Sequence, residues 1–278
     1  MTPQAAAILS TSSPVLLRET VGATAILTLN RPQARNSLSQ ALLTALAAEF
    51  AAIAGDRSLR AVVLAANGPD FCAGHDLKEL RSHRTDPDGG RGFFERIVRQ
   101  CSAAMQQIVH LPQPVIAAVS GTATAAGCQL VASCDLAMAS AEARFATPGI
   151  NIGLFCSTPM VALTRNIAAK QAMELLLTGD MIPADEAARI GLINRTVAPG
   201  TERDQALALA RKIAAKSSYV VKLGKEAFYR QREMDLARAY DYAAAVMVEN
   251  MMASDAEEGI SAFLDKRPPK WDDPSKRS

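Results

Sequence analysis

The spacing of apolar positions changes several times along the chain, and each change marks an element. Residues 15–17 and 23–29 are rich in β-formers and are separated by Val21-Gly22, which predicts two strands joined tightly as an opening hairpin. After Asn30-Arg31-Pro32, the residues Leu42, Leu46, Phe50 and Ile53 recur on one side of a helix that Ser39 caps and Gly55 stops. Arg60-Ala61-Val62-Val63-Leu64 is then a short apolar run, the pattern of a strand covered on both faces.

Asn67-Gly68-Pro69-Asp70 reads as a turn, followed by Phe71-Cys72-Ala73-Gly74-His75-Asp76-Leu77 and a helical stretch. The polar, glycine-rich residues 84–92 interrupt that helix and are expected to form a mobile loop. A longer helix through Val98, Cys101, Met105 and Ile108 ends at Leu111-Pro112, and residues 114–119 form the next buried strand. Ala123, Ala125, Ala126 and Gly127 lead into a helix over residues 129–133, and Leu136-Ala137-Met138 is a further strand. Beyond about residue 158 the pattern is almost wholly helical: Pro183 falls in a first helical turn, Gly191 is a stop, and Ser254-Asp255-Ala256-Glu257 reads as a capping box. Strand-and-helix units followed by helices predict an α/β fold with a helical C-terminal part. The expected divisions are a flexible leader (1–14), a core (15–200), a helical region (201–267) and a polar tail (268–278).

Composition narrows the partners. The 278 residues are 49% hydrophobic, with 30 Lys+Arg against 28 Asp+Glu. A formal charge of +2 gives no broad field for nucleic acid or an anionic membrane, and 5% aromatics give no stacking platform for single strands. An anionic ligand must therefore be held locally. No run reaches the roughly 18 apolar residues of a spanning helix, and residues 1–20, whose only Arg is Arg18, lack the basic start of a signal peptide. Cys72, Cys101, Cys128, Cys134 and Cys156 are odd in number and form no CxxC pair, and His75, His83 and His110 are not spaced as ligands. These features predict no metal, no disulfide framework, and a soluble protein of a reducing compartment, the cytoplasm.

Two short segments are suited to main-chain chemistry: Cys72-Ala73-Gly74-His75-Asp76 at a strand-to-helix corner, and Ala125-Ala126-Gly127-Cys128 at a helix start. Each is also explained as a tight turn with small residues for packing. Free N–H groups at such corners stabilise an oxygen that gains negative charge, and small residues let a ligand reach them.

With these segments in place the chain resembles the crotonase family, the enoyl-CoA hydratase/isomerase superfamily. The resemblance runs through Leu29-Asn30-Arg31-Pro32 with Asn36, residues 71–77, residues 114–121, Ala126-Gly127-Cys128-Gln129-Leu130 and Cys134-Asp135. It continues through Thr178-Gly179-Asp180, residues 184–192, Glu258-Gly259, Ala262-Phe263 and Lys266-Arg267. It implies a spiral of ββα units with a helical C-terminal region, assembled as a homotrimer or dimer of trimers. It implies an acyl-CoA thioester as ligand, with coenzyme A as part of the substrate and no separate cofactor. The backbone oxyanion donors fall on His75 and Ala126. The His75 side chain as a general base ranks second. Substrate contacts fall on Ala34, Ala73, Gly74, Asp76, Leu77, Lys78 and Gly127, and on Phe263 and Lys266 reaching a neighbouring subunit's coenzyme A.

The sequence departs from the hydratases where they carry two glutamates. Gln129 stands at the first position and Gly149 at the second; a further acid of the dienoyl-isomerising branch is matched by Ser157, beside Cys156. An amide orients water but does not take its proton, and glycine offers no side chain. This places the chain in a branch similar to enoyl-CoA hydratase domain-containing proteins. Two expectations stand: an enzyme that stabilises a thioester enolate, or a non-catalytic or weakly active acyl-CoA-binding protein.

Overall fold

Gly22, at φ +60°, turns the chain so that β1 (Leu16–Val21) and β2 (Thr24–Leu29) pair antiparallel. The computed structural model describes residues 13–272, so residues 1–12 of the expected leader and 273–278 of the expected tail lie outside the described residues. The order continues with α1 (Gln40–Gly55), β3 (Ala61–Ala66), α2 (Leu77–Ser82), α3 (Arg91–His110), β4 (Val115–Val119), β5 (Thr122–Thr124) and α4 (Ala126–Ser133). Next come β6 (Leu136–Ser140), β7 (Arg144–Ala146), α5 (Ser157–Leu163), α6 (Ala169–Thr178), β8 (Ile182–Pro183), α7 (Ala184–Arg189) and β9 (Arg195–Val197). Four helices close the described chain: α8 (Glu202–Ala214), α9 (Ser218–Gln231), α10 (Leu236–Met251) and α11 (Ser254–Leu264).

A 6-stranded sheet runs β1-β2-β3-β4-β6-β9, parallel after the hairpin, and a 3-stranded sheet runs β5-β7-β8. Successive strands divide between the two: β4 and β6 pair in the large sheet while β5 and β7, which follow them, pair in the small one. The bridges Leu38↔His75 and Cys72↔Ala123 extend the small ladder backwards, so the fold is a spiral of ββα turns. The short second strands were not legible, because a strand of three residues has no period to read.

The continuous apolar runs have the expected cause. Val62 and Leu64 face one core with α1 and α3, while Ala61, Val63 and Ala65 face a second with Ala206, Leu207 and Ala210 of α8. The large sheet is thus covered on both faces by helices.

The C-terminal helices are tied to this core by charge. Lys225 of α9 donates to Asp135 at 2.7 Å and to the Ile108 and Gln113 carbonyls at 2.9 and 3.1 Å. Asp135 also accepts from the Val115 N–H at 2.7 Å and the Tyr229 hydroxyl at 3.0 Å. Burial pushes the Asp135 carboxyl up and the Lys225 ammonium down, against the attraction between them. The pair therefore contributes position more than net stability.

Several local expectations are corrected. Residues 84–92 are a built turn: Asp88 accepts from the Gly90 and Gly92 N–H groups at 2.9 and 2.8 Å, and the His83 ring stacks on Phe93 with centroids 3.7 Å apart. The capping box does not form, because α11 already begins at Ser254 and Asp255 turns inward to bond the Ser217 hydroxyl and, at 2.8 Å, the Asp272 N–H. Pro183 precedes α7 as its cap while pairing in β8, since its extended backbone suits a strand end. Val98 faces outward on α3, 40% exposed.

Lys225→Ala leaves the Asp135 charge buried and unpaired, so urea denaturation is expected to show a loss of about 3–5 kcal/mol. Replacing both partners by apolar residues of similar size, Lys225→Met with Asp135→Leu, is expected to recover most of it.

Candidate functional site

The two segments singled out by their small residues meet. Gly74 has φ +89°, and a Cβ there would lie 2.9 Å from the Ala125 Cβ, 3.1 Å from the Thr124 carbonyl oxygen and 3.3 Å from the Ala126 nitrogen. On the other side, a Cβ on Gly127 would lie 2.1 Å from the Cys72 carbonyl oxygen. Backbone is packed on backbone, and hydrogen bonds fix the register: Cys72 N–H to the Thr122 carbonyl at 3.1 Å, Thr124 N–H to the Cys72 carbonyl at 2.9 Å, and Leu38 N–H to the Gly74 carbonyl at 2.8 Å. Ala126 opens α4, where the N–H has no helical acceptor, and neither it nor the His75 N–H donates a hydrogen bond among the described residues. Gly74, the residue before His75, thus lies against Ala125 and Ala126, and the main-chain N–H groups of His75 and Ala126 are left over.

Ala125, just before the second donor, has φ 50° and ψ −120°, a conformation that costs a non-glycine residue about 1–3 kcal/mol. Its N–H is spent on the Ala146 carbonyl at 2.9 Å, which holds the strained residue in place. Sequence reasoning missed this position because alanine carries no signal for a positive φ.

The His75 ring is largely buried, and its Nδ1 has no hydrogen-bond partner among the described residues. Burial pulls the imidazole below its usual range, opposed by the Leu38 carbonyl, so the ring is neutral at pH 7. Asp76 is not free for a ligand: it caps α2 through the Lys78 and Glu79 N–H groups at 3.1 and 3.3 Å and pairs with Arg31 at 2.9 Å. Burial opposes the Asp76 charge, but Arg31 and the two N–H groups outweigh it and hold the carboxyl below the usual range. Leu77 and Lys78 are exposed just beyond this cap, and Ala34 and Ala73 are half-buried in the adjoining loops.

Gln129 is 4% exposed and its Oε1 has no hydrogen-bond partner among the described residues. It lines an open cleft of about 890 Å³ between α3, α4, α5 and α9, to which Met105, Val161 and Tyr229 contribute. Gly149 is not an empty place: a Cβ there would lie 2.5 Å from the Leu154 carbonyl oxygen and 2.8 Å from the Cys156 Sγ. The chain after Gly149 has closed over the point from which a second acid would project. Ser157 is exposed and its hydroxyl donates to the Phe155 carbonyl at 3.3 Å, and Cys156 stands at the cap position of α5. The lowered pKa that a thiol at a helix start can have is not found. Burial pushes the Cys156 thiol up, and Cys128 on α4 is pushed up to about 12.

Phe263 and Lys266 lie far from these groups in sequence, at the end of α11, with Phe263 83% exposed. Among the described residues, no cluster of three or more His, Cys, Asp or Glu is arranged to hold a metal, and no helix is long and apolar enough to cross a membrane.

Residues 19–274 match the family model described as enoyl-CoA hydratase/isomerase. The rat enoyl-CoA hydratase domain-containing protein 3, mitochondrial, is 46% identical over 243 residues, covering 87% of this chain and 79% of the relative. A crystal structure of enoyl-CoA hydratase from Mycobacterium smegmatis superposes with a TM-score of 0.88 at 53% identity, covering 93% of this chain and 99% of that one. The crystal structure of human enoyl-CoA hydratase domain-containing protein 3 also gives 0.88, at 44% identity, covering 92% and 100%. The rat, human and mouse relatives are mitochondrial by name, which overturns the cytoplasmic location expected from the thiols. Unpaired cysteines report a reducing environment, not a particular compartment.

Gly149→Ala is expected to lower stability by about 1–3 kcal/mol, read by thermal unfolding, because its methyl meets a carbonyl oxygen that belongs to the backbone. Gly149→Glu is expected to unfold at a still lower temperature. The depressed Asp76 carboxyl gives stability that is present above its unfolded value and is lost as pH falls through its folded one. Asp76→Asn should therefore be less stable at neutral pH by about 1 kcal/mol and show a shallower acid-side loss in urea midpoints measured against pH.

Proposed function

The chain belongs to the enoyl-CoA hydratase/isomerase family, and from that premise we propose that it binds an acyl-CoA thioester and stabilises the thioester oxygen with the N–H groups of His75 and Ala126. Removing a proton next to a thioester carbonyl, or adding a nucleophile one carbon further, moves an electron pair onto that oxygen as an enolate. Losing one fixed donor at such an oxygen typically costs about 3–4 kcal/mol of transition-state stabilisation. The observation that carries this reading is the contact of Gly74 with Ala125 and Ala126, which brings together two segments with unspent N–H groups.

Around this pair, Ala34, Ala73, Gly74, Leu77, Lys78 and Gly127 form the coenzyme A side, where the exposed Lys78 ammonium suits a phosphate. Phe263 and Lys266 act from a neighbouring copy in a homotrimer or dimer of trimers. The apolar surface of the last helices supports such assembly: Leu236 is 75%, Met252 82% and Phe263 83% exposed.

A second reading, an acyl-CoA-binding protein with little or no turnover, is favoured by one observation. Gln129 takes the place of a proton-accepting group, and Gly149 is covered by Leu154 and Cys156. Neither residue takes a proton from water, so two-glutamate hydration is not the reaction proposed.

Isothermal titration with butyryl-CoA is expected to show binding by the wild type and by His75→Ala alike, since the donor is the amide. Gly74→Val is expected to weaken binding at least about tenfold, by separating the two segments. Complete loss of binding in a folded His75→Ala would refute the amide role. Exchange of the α-proton of bound acyl-CoA with deuterated water distinguishes the two readings: exchange supports the enzyme, and its absence across a series of thioesters supports the binding protein.

A further inference from the structure

We propose that Arg31 is a positioning residue for the first oxyanion donor, its guanidinium heading a chain of two peptide groups that ends at the His75 N–H; this deepens, and rests on, the acyl-thioester reading. The Arg31 Nη1 donates to the Ser37 carbonyl at 2.6 Å. The N–H of that same peptide, on Leu38, donates to the Gly74 carbonyl at 2.8 Å. The N–H of the Gly74 peptide, on His75, donates to nothing among the described residues. Both peptides are trans, so in each the carbonyl and the N–H point in opposite directions, and the chain runs one way from the cation to the donor.

A hydrogen bond accepted by a peptide carbonyl polarises the N–H of the same group, and a cation at the head strengthens the first bond of the chain. The Leu38 bond also fixes direction, because the His75 N–H cannot turn away while the carbonyl of its own peptide is held. The Arg31 Nη2 meets Asp76 at 2.9 Å, with the two side chains 18% and 13% exposed, so solvent screens the pair little. Without Arg31, an unpaired carboxylate would stand one residue from the donor of a growing negative charge. The loop that carries Arg31 is itself fixed. The Arg31 N–H donates to the Asn36 Oδ1 at 2.8 Å, and the fully buried Asn36 amide donates to the Asn67 and Asp70 carbonyls, both at 2.8 Å. At the second donor the chain is one helical bond without a cation, from the Gln129 N–H to the Ala125 carbonyl at 3.0 Å. The two donors are therefore unequal, with the charge behind His75.

Acetoacetyl-CoA is the probe, because its enolate places charge on the thioester oxygen and is read by ultraviolet absorbance. The pH at which the bound ligand ionises is measured for wild type, Arg31→Gln, Arg31→Lys and Arg35→Gln, each first checked by thermal unfolding, together with the Kd of butyryl-CoA. The Arg35 side chain ties the same loop to Asp70 at 2.8 and 3.1 Å but takes no part in the chain, so its variant reads loosening of the loop alone. The wild type is expected to ionise the ligand at a lower pH than free solution does. Arg31→Gln is expected to raise that pH by about one unit, a tenfold change, and Arg31→Lys, which keeps the charge, by about half a unit. Arg35→Gln is expected to leave it unchanged, and butyryl-CoA affinity to change less than about threefold in all three. Equal shifts in the Arg31 and Arg35 variants, or no shift in either Arg31 variant, would overturn this proposal and leave the thioester reading standing. If Arg31→Gln does not fold, Arg31→Lys against Arg35→Gln decides in the same way. Failure of the wild type to bind either thioester, or to lower the ionisation pH, would overturn both.

Discussion

The close approach of two backbone segments, residues 72–74 and 125–127, is the constraint on which the site depends. Gly74 and Gly127 lie where any Cβ would strike the opposite strand or helix, so side chains there would push the segments apart. The contact draws Ala126 up against Gly74, and the spiral supplies the surrounding register through the parallel bridges of Leu38, Cys72 and Ala123. The strain at Ala125 belongs to the same arrangement: it falls where the chain passes from β5 into α4, at the residue just before the first N–H of the helix.

Much of this was legible because it is written in composition at short range. The strand runs at residues 61–64 and 114–119 and the Ser39 cap are local signals, and the structure places them within a residue or two of their expected bounds. The small-residue segments stood out by residue type alone, and the pairing of His75 with Ala126 as donors followed from the family resemblance, not from periodicity. What was not legible arises from contacts distant in sequence. Nothing around Gly149 reveals that residues 154 and 156 fold back onto it, and nothing in α9 announces that Lys225 ends on Asp135, 90 positions away. The turn at 84–92 was misread because its glycines suggested freedom, whereas Gly90 is held against the His83 carbonyl and the Phe94 ring.

Under the proposed acyl-thioester reading, the chemistry left to the site is that of polarisation. Two main-chain donors remain, the thiols are kept protonated by burial, and the His75 ring is neutral. Such a site holds charge on an oxygen better than it moves protons to and from carbon. The closing of residues 154–156 over Gly149 fits that division, since it fills with protein the volume from which an acid would act.

The ion pair between α9 and the core also has a bearing on ligand entropy. Tyr229 and Lys225 form part of the cavity wall, yet both are anchored outside it, to the carboxylate of Asp135 and to carbonyls at the end of α3 and before β4. The wall is thus held by the sheet's own framework and does not need an occupant to keep its shape. A ligand entering such a compartment orders fewer side chains as it binds, and a larger share of its contacts appears as affinity.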